Sequence, residues 1–130
     1  MHLVGDLHQP LHVGFLDGHG GTRTKVTFNG KEQTHELWDT GLLEAENESA
    51  SAIGARLDQE FSAEEPKSWE AGAPKDWANE TLGVTIKYVY PLPESHKIGD
   101  DYAKSAISIL RKTIVQAGVR LAWLLNEALK

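Results

Sequence analysis

HLVGDLHQPLHVGFLDGHGGT, residues 2–22, changes character twice along its length, and the two changes decide how the rest of the chain is read. Met1 to Leu7 reads as the closing turns of a helix, because Gln9-Pro10 follows and a proline drives the residue before it out of helical backbone. So short a segment looks like a helix whose beginning is missing. Residues 14–22 then form a glycine-rich loop. Beyond it Thr24 to Phe28 alternates as a strand and runs into Asn29-Gly30, the dipeptide of two-residue hairpin turns, which predicts one small hairpin.

From Glu36 onward the period becomes helical. Leu37, Trp38, Gly41 and Leu42 open one helix, and Ala50 to Phe61 carries Ile53, Leu57 and Phe61 at a spacing of four. Residues 62–73 mix Glu, Pro, Gly and Lys and read as an exposed connection. Lys75 to Val89 resumes a helix that stops at Pro91 and Pro93. After a turn at Gly99-Asp100, residues 101–129 form one long helix with an expected apolar face of Tyr102, Ala106, Ile109, Leu110, Thr113, Ala117, Leu121, Leu124 and Ala128. The expectation is a mainly α single domain over residues 1–130 with one small β-hairpin.

Composition narrows the function classes. A chain of 130 residues with 40% hydrophobic and 25% charged residues has the make-up of a folded domain with a real core. No window approaches the roughly 18 apolar residues of a transmembrane segment, and Met1-His2 shows no basic start and apolar stretch of a targeting sequence. There is no cysteine, so disulfides, thiol nucleophiles and thiolate metal sites are excluded and His, Asp and Glu remain as strong ligands. The net charge of -6 is concentrated in residues 36–101, with 5 basic and 15 acidic side chains, so the chain has no broad cationic footprint for duplex nucleic acid. A phosphate ligand would be held mainly by a local cation such as a metal.

Histidine is distributed unevenly: His2, His8, His12, His19 and His35 fall in the first 35 positions and His96 alone falls outside them. His2 and Asp6 are four apart, as are His35 and Asp39, and on a helix each pair shares a face. Imidazole nitrogen with carboxylate oxygen is a donor set that zinc takes readily, and three protein ligands plus water make a catalytic zinc geometry. The trio is His12, His35 and Asp39, with His12 at the mouth of the proline turn. Any one of these histidines alone has an ordinary reading as a solvated or hydrogen-bonded side chain, and it is the joint arrangement that points to metal. His19 and His96 read as plain exposed loop residues. Phe15, Phe28 and Trp38 are aromatics available either for stacking on a base or for the core.

The run HLVGDLHQPLHVGFLDGHGGT, then THELWDT from Thr34, WANET at Trp77 to Thr81 followed by VYP, and AGVRLAWLLN at Ala117 to Asn126 together resemble the C-terminal half of the trinuclear-zinc single-strand nuclease and 3′-nucleotidase family. That family is related in fold to the zinc-dependent bacterial phospholipases C. The resemblance runs in order over essentially the whole chain. It implies a helical phospholipase C/nuclease-type domain, truncated relative to a family of about twice this length. It also implies that His12, His35 and Asp39 complete one zinc site, that His2 binds a second zinc, and that Asp6 bridges that ion to a third. Asp6, His12 and His35 would then carry catalysis. His8 looks like a supporting residue rather than a ligand, and Trp77 and Glu80 receive no catalytic role. Thr22 and Thr34 stand where the family usually has Asn, which bears on substrate contacts and on hydrogen bonding around the metals. The family's remaining ligands, an N-terminal tryptophan, a following histidine and a further Asp and His, have no counterpart in these residues.

The activity the resemblance implies is zinc-dependent hydrolysis of a phosphoric ester by a metal-activated water, the substrate being single-stranded nucleic acid, a nucleotide or a phospholipid head group. Two other classes stand beside it: a non-catalytic zinc-binding fragment, and a small esterase or lipolytic hydrolase using the same zinc. There is no G-x-S-x-G elbow for a serine route. A homo-oligomer that supplies the missing half is expected from the exposed helix face such a half-domain would carry. The family's usual location is secreted or periplasmic, and no signal peptide is present in these residues.

Overall fold

The computed structural model describes residues 2–61 and 64–130. It is mainly helical with one hairpin, as expected. Helix α1 spans His2–His8 and passes through Gln9 into a short 3-10 turn, Pro10–Val13, where Pro10 at the first helical position needs no N–H partner. A second 3-10 segment, Leu16–Gly21, lies inside the stretch read as loop. Its helical path breaks at His19 and Gly20, which take left-handed backbone with φ of 45° and 61°.

Strands β1 (Val26–Phe28) and β2 (Lys31–Gln33) pair antiparallel with Thr27 opposite Glu32. The turn between them uses Asn29 and Gly30 with φ of 49° and 75°, the two positive values a type I′ turn requires. Val26 and Phe28 face inward and Thr27 outward. Thr27 also exchanges backbone hydrogen bonds with His96 and Ile98, so the 96–98 segment lies along β1.

The helix expected from Leu37 begins as one wide π-type turn, Leu37–Gly41, and becomes α2 (Leu42–Glu44). Helix α3 (Ala50–Glu60) starts at Ser49, whose hydroxyl accepts from the Ala52 N–H at 3.2 Å. The connection expected over 62–73 is partly helical: α4 spans Glu64–Trp69, while Ser62 and Ala63 lie outside the described residues. Pro66 falls in its first turn, where the absent N–H costs nothing, and Trp69 is buried edge-on against Phe61 with ring centres 5.7 Å apart. Helix α5 spans Pro74–Val84 and widens into a second π-type turn, Thr85–Val89, before Pro91. Helix α6 runs from Asp100 to Ala128 with Asp100 and Asp101 at its positive end.

One apolar core gathers Leu11, Val26, Phe28, Leu37, Trp38, Leu42, Val89, Ile98, Ala103, Ala106 and Leu110, joining the 3-10 turn, hairpin, π turns and the first half of α6. The buried face of α6 differs from the expected stripe in its second half. Ala103, Ala106, Leu110 and Thr113 continue into Gln116 and Arg120, whereas Leu121 and Leu124 are half-buried and Ala128 is exposed. Burial here follows hydrogen bonding rather than hydropathy: Arg120 donates to the Trp69 carbonyl, to His8 Nε2 at 2.8 Å and to Glu80 Oε2 at 2.5 Å, and Gln116 donates to Glu80 Oε1 at 2.9 Å. The Arg120 guanidinium also lies over the Trp77 ring, 5.1 Å from its centre. These bonds clamp α1 between α5 and α6. Among the described residues no helix is long and apolar enough to cross a membrane.

Candidate metal centre

Two short elements carry the three candidate ligands. The proline turn holds His12, and the segment from His35 into the first π turn holds His35 and Asp39. Hairpin β1–β2 lies between them in sequence and returns the chain, so that His12 and His35 stack with centres 5.0 Å apart and planes within 5°. His12 Nε2 is 3.1 Å from His35 Nε2 and 3.5 Å from Asp39 Oδ1, and His35 Nε2 is 3.2 Å from Asp39 Oδ2. A tetrahedral zinc with bonds of about 2.0–2.1 Å puts neighbouring ligand atoms about 3.3–3.4 Å apart; the separations here have that scale, with His12 meeting Asp39 through Oδ1 and His35 through Oδ2.

Donor chemistry points the same way. His35 Nδ1 makes a short hydrogen bond to the Gly20 carbonyl, which can only accept, so this nitrogen carries the ring proton and Nε2 presents a lone pair. His12 Nδ1 faces Asp6 Oδ1 at 3.2 Å, and an ionised carboxylate fixes the same tautomer. Two lone pairs and a carboxylate therefore converge with no proton of their own between them. Gln9 donates one N–H to the carboxylate, and His12, His35 and Asp39 together are a group able to hold a metal ion.

Of the other expected ligands, His2 and Asp6 are brought together, with His2 Nε2 3.2 Å from Asp6 Oδ2, and Asp6 joins them to the trio through His12. The His2 side chain is 90% exposed, so this pair is open on its outer side. His8 is not part of the cluster. It is buried on the opposite face of α1, donates from Nδ1 to the Val4 carbonyl at 2.7 Å and accepts at Nε2 from Arg120. Burial lowers the pKa of His8, Arg120's charge adds to the effect, and the neutral ring suits both bonds. Glu80 is pushed up by partial burial but pulled further down by hydrogen bonds from Arg120 and Gln116, and ends below its ordinary range. Both residues hold helices together.

His19 lines the pocket beside the cluster together with Asp6, His12 and His35. His96 is more than a loop residue: in a left-handed conformation it donates from Nδ1 to the Lys25 carbonyl at 2.9 Å and tethers the hairpin. Phe28 and Trp38 are core residues, while Phe15 is 54% exposed at the pocket rim beside Leu16 at 92%. A separate cavity of about 380 Å³, lined by Leu11, Phe15, Trp38, Val89 and Tyr90 among others, shares Leu11 and Phe15 with that pocket.

Sequence reasoning passed over Gln9, and placed Gly20 with Gly21 in a loop beside the active site by resemblance alone, with no part in holding a ligand. The Gln9 side chain donates to Asp39 Oδ1 at 2.6 Å and accepts from the Leu11 N–H. Gly20 takes the left-handed region, and a Cβ there would come within 3.2 Å of the Leu11 carbonyl and 3.4 Å of His35 Nδ1. An amide before a proline and one glycine among several carry no chemical signature, so only the folded contacts reveal them.

Comparison with known proteins adds an independent result. The S1/P1 Nuclease family model matches residues 1–130. Endonuclease 4 of Arabidopsis thaliana is 34% identical over 143 aligned positions, covering 97% of this chain and 48% of the relative, and Endonuclease 3 of the same plant is 32% identical over the same span. Nuclease S1 of Aspergillus oryzae is 34% identical over 89 positions, covering 67% of this chain and 30% of its own. The chain thus spans about half the length of the curated plant relatives it matches. On the full-length family match, and on a relative 34% identical across nearly all of these residues, the chain belongs to the S1/P1 nuclease family.

Proposed function

We propose that this chain provides the metal-binding portion of a zinc-dependent phosphoric ester hydrolase acting on nucleic acid, with His12, His35 and Asp39 holding one zinc. The observation that carries this reading is the convergence of their ligand atoms at 3.1–3.5 Å with both imidazole tautomers set for ligation. Bound there, zinc would supply Lewis acidity toward a phosphoryl oxygen and would bring the pKa of bound water to about 7.

The protein's own groups do the positioning. The Gly20 carbonyl and Asp6 hold the two rings in register. His2 and Asp6 are the proposed ligands of a second and a third ion, and as a two-residue set they need further donors. A second copy of this chain is the proposed source, and a strictly monomeric, zinc-loaded protein in light scattering argues against it. Phe15, exposed beside the pocket, offers a face on which a base of a single strand would stack. The names of the relatives, endonuclease and nuclease, support nucleic acid over lipid as the substrate class.

The test is turnover of a single-stranded oligonucleotide and of a chromogenic phosphodiester by the zinc-loaded chain, with His35→Ala as control and phospholipid vesicles as the competing substrate. Metal-dependent turnover of the nucleic acid, lost in His35→Ala, is the expected result. Zinc uptake without turnover of any ester would favour a non-catalytic zinc-binding fragment, and turnover of carboxylic esters alone would favour the esterase reading.

A further inference from the structure

We propose that Gln9 is a positioning residue for the metal centre: one amide that fixes the Asp39 carboxylate while anchoring the turn that carries His12. The inference rests on the zinc reading above and names a residue to which that reading gives no role. The orientation of the amide is determined by its partners. The Leu11 backbone N–H can only donate, so Gln9 Oε1 faces it, and the NH₂ end is directed at Asp39. From there Nε2 donates to Asp39 Oδ1 at 2.6 Å and lies 3.4 Å from His35 Nε2.

Each end of the side chain therefore ties down one ligand-bearing element. The Oε1 end caps the Pro10–Val13 turn, in which His12 sits three residues after Gln9. The NH₂ end reaches across 30 positions of sequence to the π turn bearing Asp39. An exposed aspartate otherwise samples several rotamers. With Oδ1 held, Oδ2 stays 3.2 Å from His35 Nε2, where a metal can use it. His12 and His35 have their Nδ1 atoms held by Asp6 and the Gly20 carbonyl, so Gln9 gives Asp39 the support that the two rings already have.

The test is the zinc affinity of the complete 130-residue chain, read by competition with a chromophoric chelator. Wild type is compared with Gln9→Ala and Gln9→Asn, and circular dichroism of the metal-free proteins controls for folding. Asparagine keeps a good cap for Leu11 but is one methylene too short to hold Asp39. Both variants are expected to bind zinc 10- to 100-fold more weakly than wild type, in the range found for lost supporting hydrogen bonds. On an Asp39→Ala background, Gln9→Asn, which keeps the cap and lacks only the reach to Asp39, is expected to cause no further loss.

Affinity within twofold of wild type for Gln9→Ala overturns the proposal. So does wild-type affinity for Gln9→Asn, which would reduce Gln9 to a helix cap, and so does an undiminished effect on the Asp39→Ala background. A wild-type chain that binds no zinc, or that binds it equally well as His35→Ala, overturns the metal reading itself. The two failures are thereby told apart.

Discussion

Gly20 concentrates the residue-scale argument. Its carbonyl fixes the tautomer of His35, its backbone lies in the left-handed region, and its missing Cβ leaves room for Leu11 and His35. Gly20→Ala is expected to cost about 1–2 kcal/mol from the left-handed conformation alone, read as a lowered urea midpoint. It is also expected to weaken zinc binding, because the Leu11 carbonyl or the His35 ring must give way to the new methyl. His35→Ala should remove zinc binding while leaving the fold, since its ring is tied to a loop carbonyl and to other ligands rather than to the core. The difference between these variants explains what a reader of the sequence sees. His35 and Asp39 announce themselves through chemistry and a spacing of four. Gly20 and Gln9 act through a backbone angle and an amide, which look ordinary until the 3-10 turn, the kinked loop and the π turn meet.

At the scale of elements, the bond set His8–Arg120–Glu80–Gln116 holds α1 between α5 and α6. Arg120→Ala removes the donor to His8, to the Trp69 carbonyl and to Glu80 from a buried position, and should destabilise the protein by about 3–5 kcal/mol. Lysine cannot restore three divergent bonds and should rescue little of it. Equilibrium urea unfolding reads both. Because Glu80 is held below its ordinary pKa, its contribution is present above the unfolded carboxylate value of about 4.3 and declines as pH falls through the lower folded value. The stability gap between wild type and Glu80→Gln should therefore be level near neutral pH and shrink in acid below that value. A gap that stays constant through acid would mean that the carboxylate charge contributes nothing. Helix positions were legible at this scale because hydrophobic period marks them. The inward side of α6 was not, since Gln116 and Arg120 are buried by their partners rather than by their hydropathy. α4 was obscured by a proline that is harmless in a first turn.

Across the whole molecule, a metal at the candidate centre would add a second tie between parts of the chain that the core already joins. His12 and His35 are 23 residues apart, and Asp39 lies within the π turn that leads to the buried Leu42. A metal bound by the three closes a loop containing the glycine-rich segment and the whole hairpin, so binding and folding are linked. Free zinc at a hundred times its dissociation constant stabilises the native state by about 2.7 kcal/mol. For a chain of this size that corresponds to a rise of roughly 10 °C in melting temperature. Differential scanning calorimetry with a zinc series and with excess chelator should show this rise for wild type, and should show none for His35→Ala. The size of the increment also reports on the second site. His2 and Asp6 form a pair open to solvent, so a single-site curve unchanged by His2→Ala means that the three-ligand centre alone holds metal. A steeper dependence that His2→Ala flattens, and that grows with protein concentration, means instead that copies of the chain complete each other's sites.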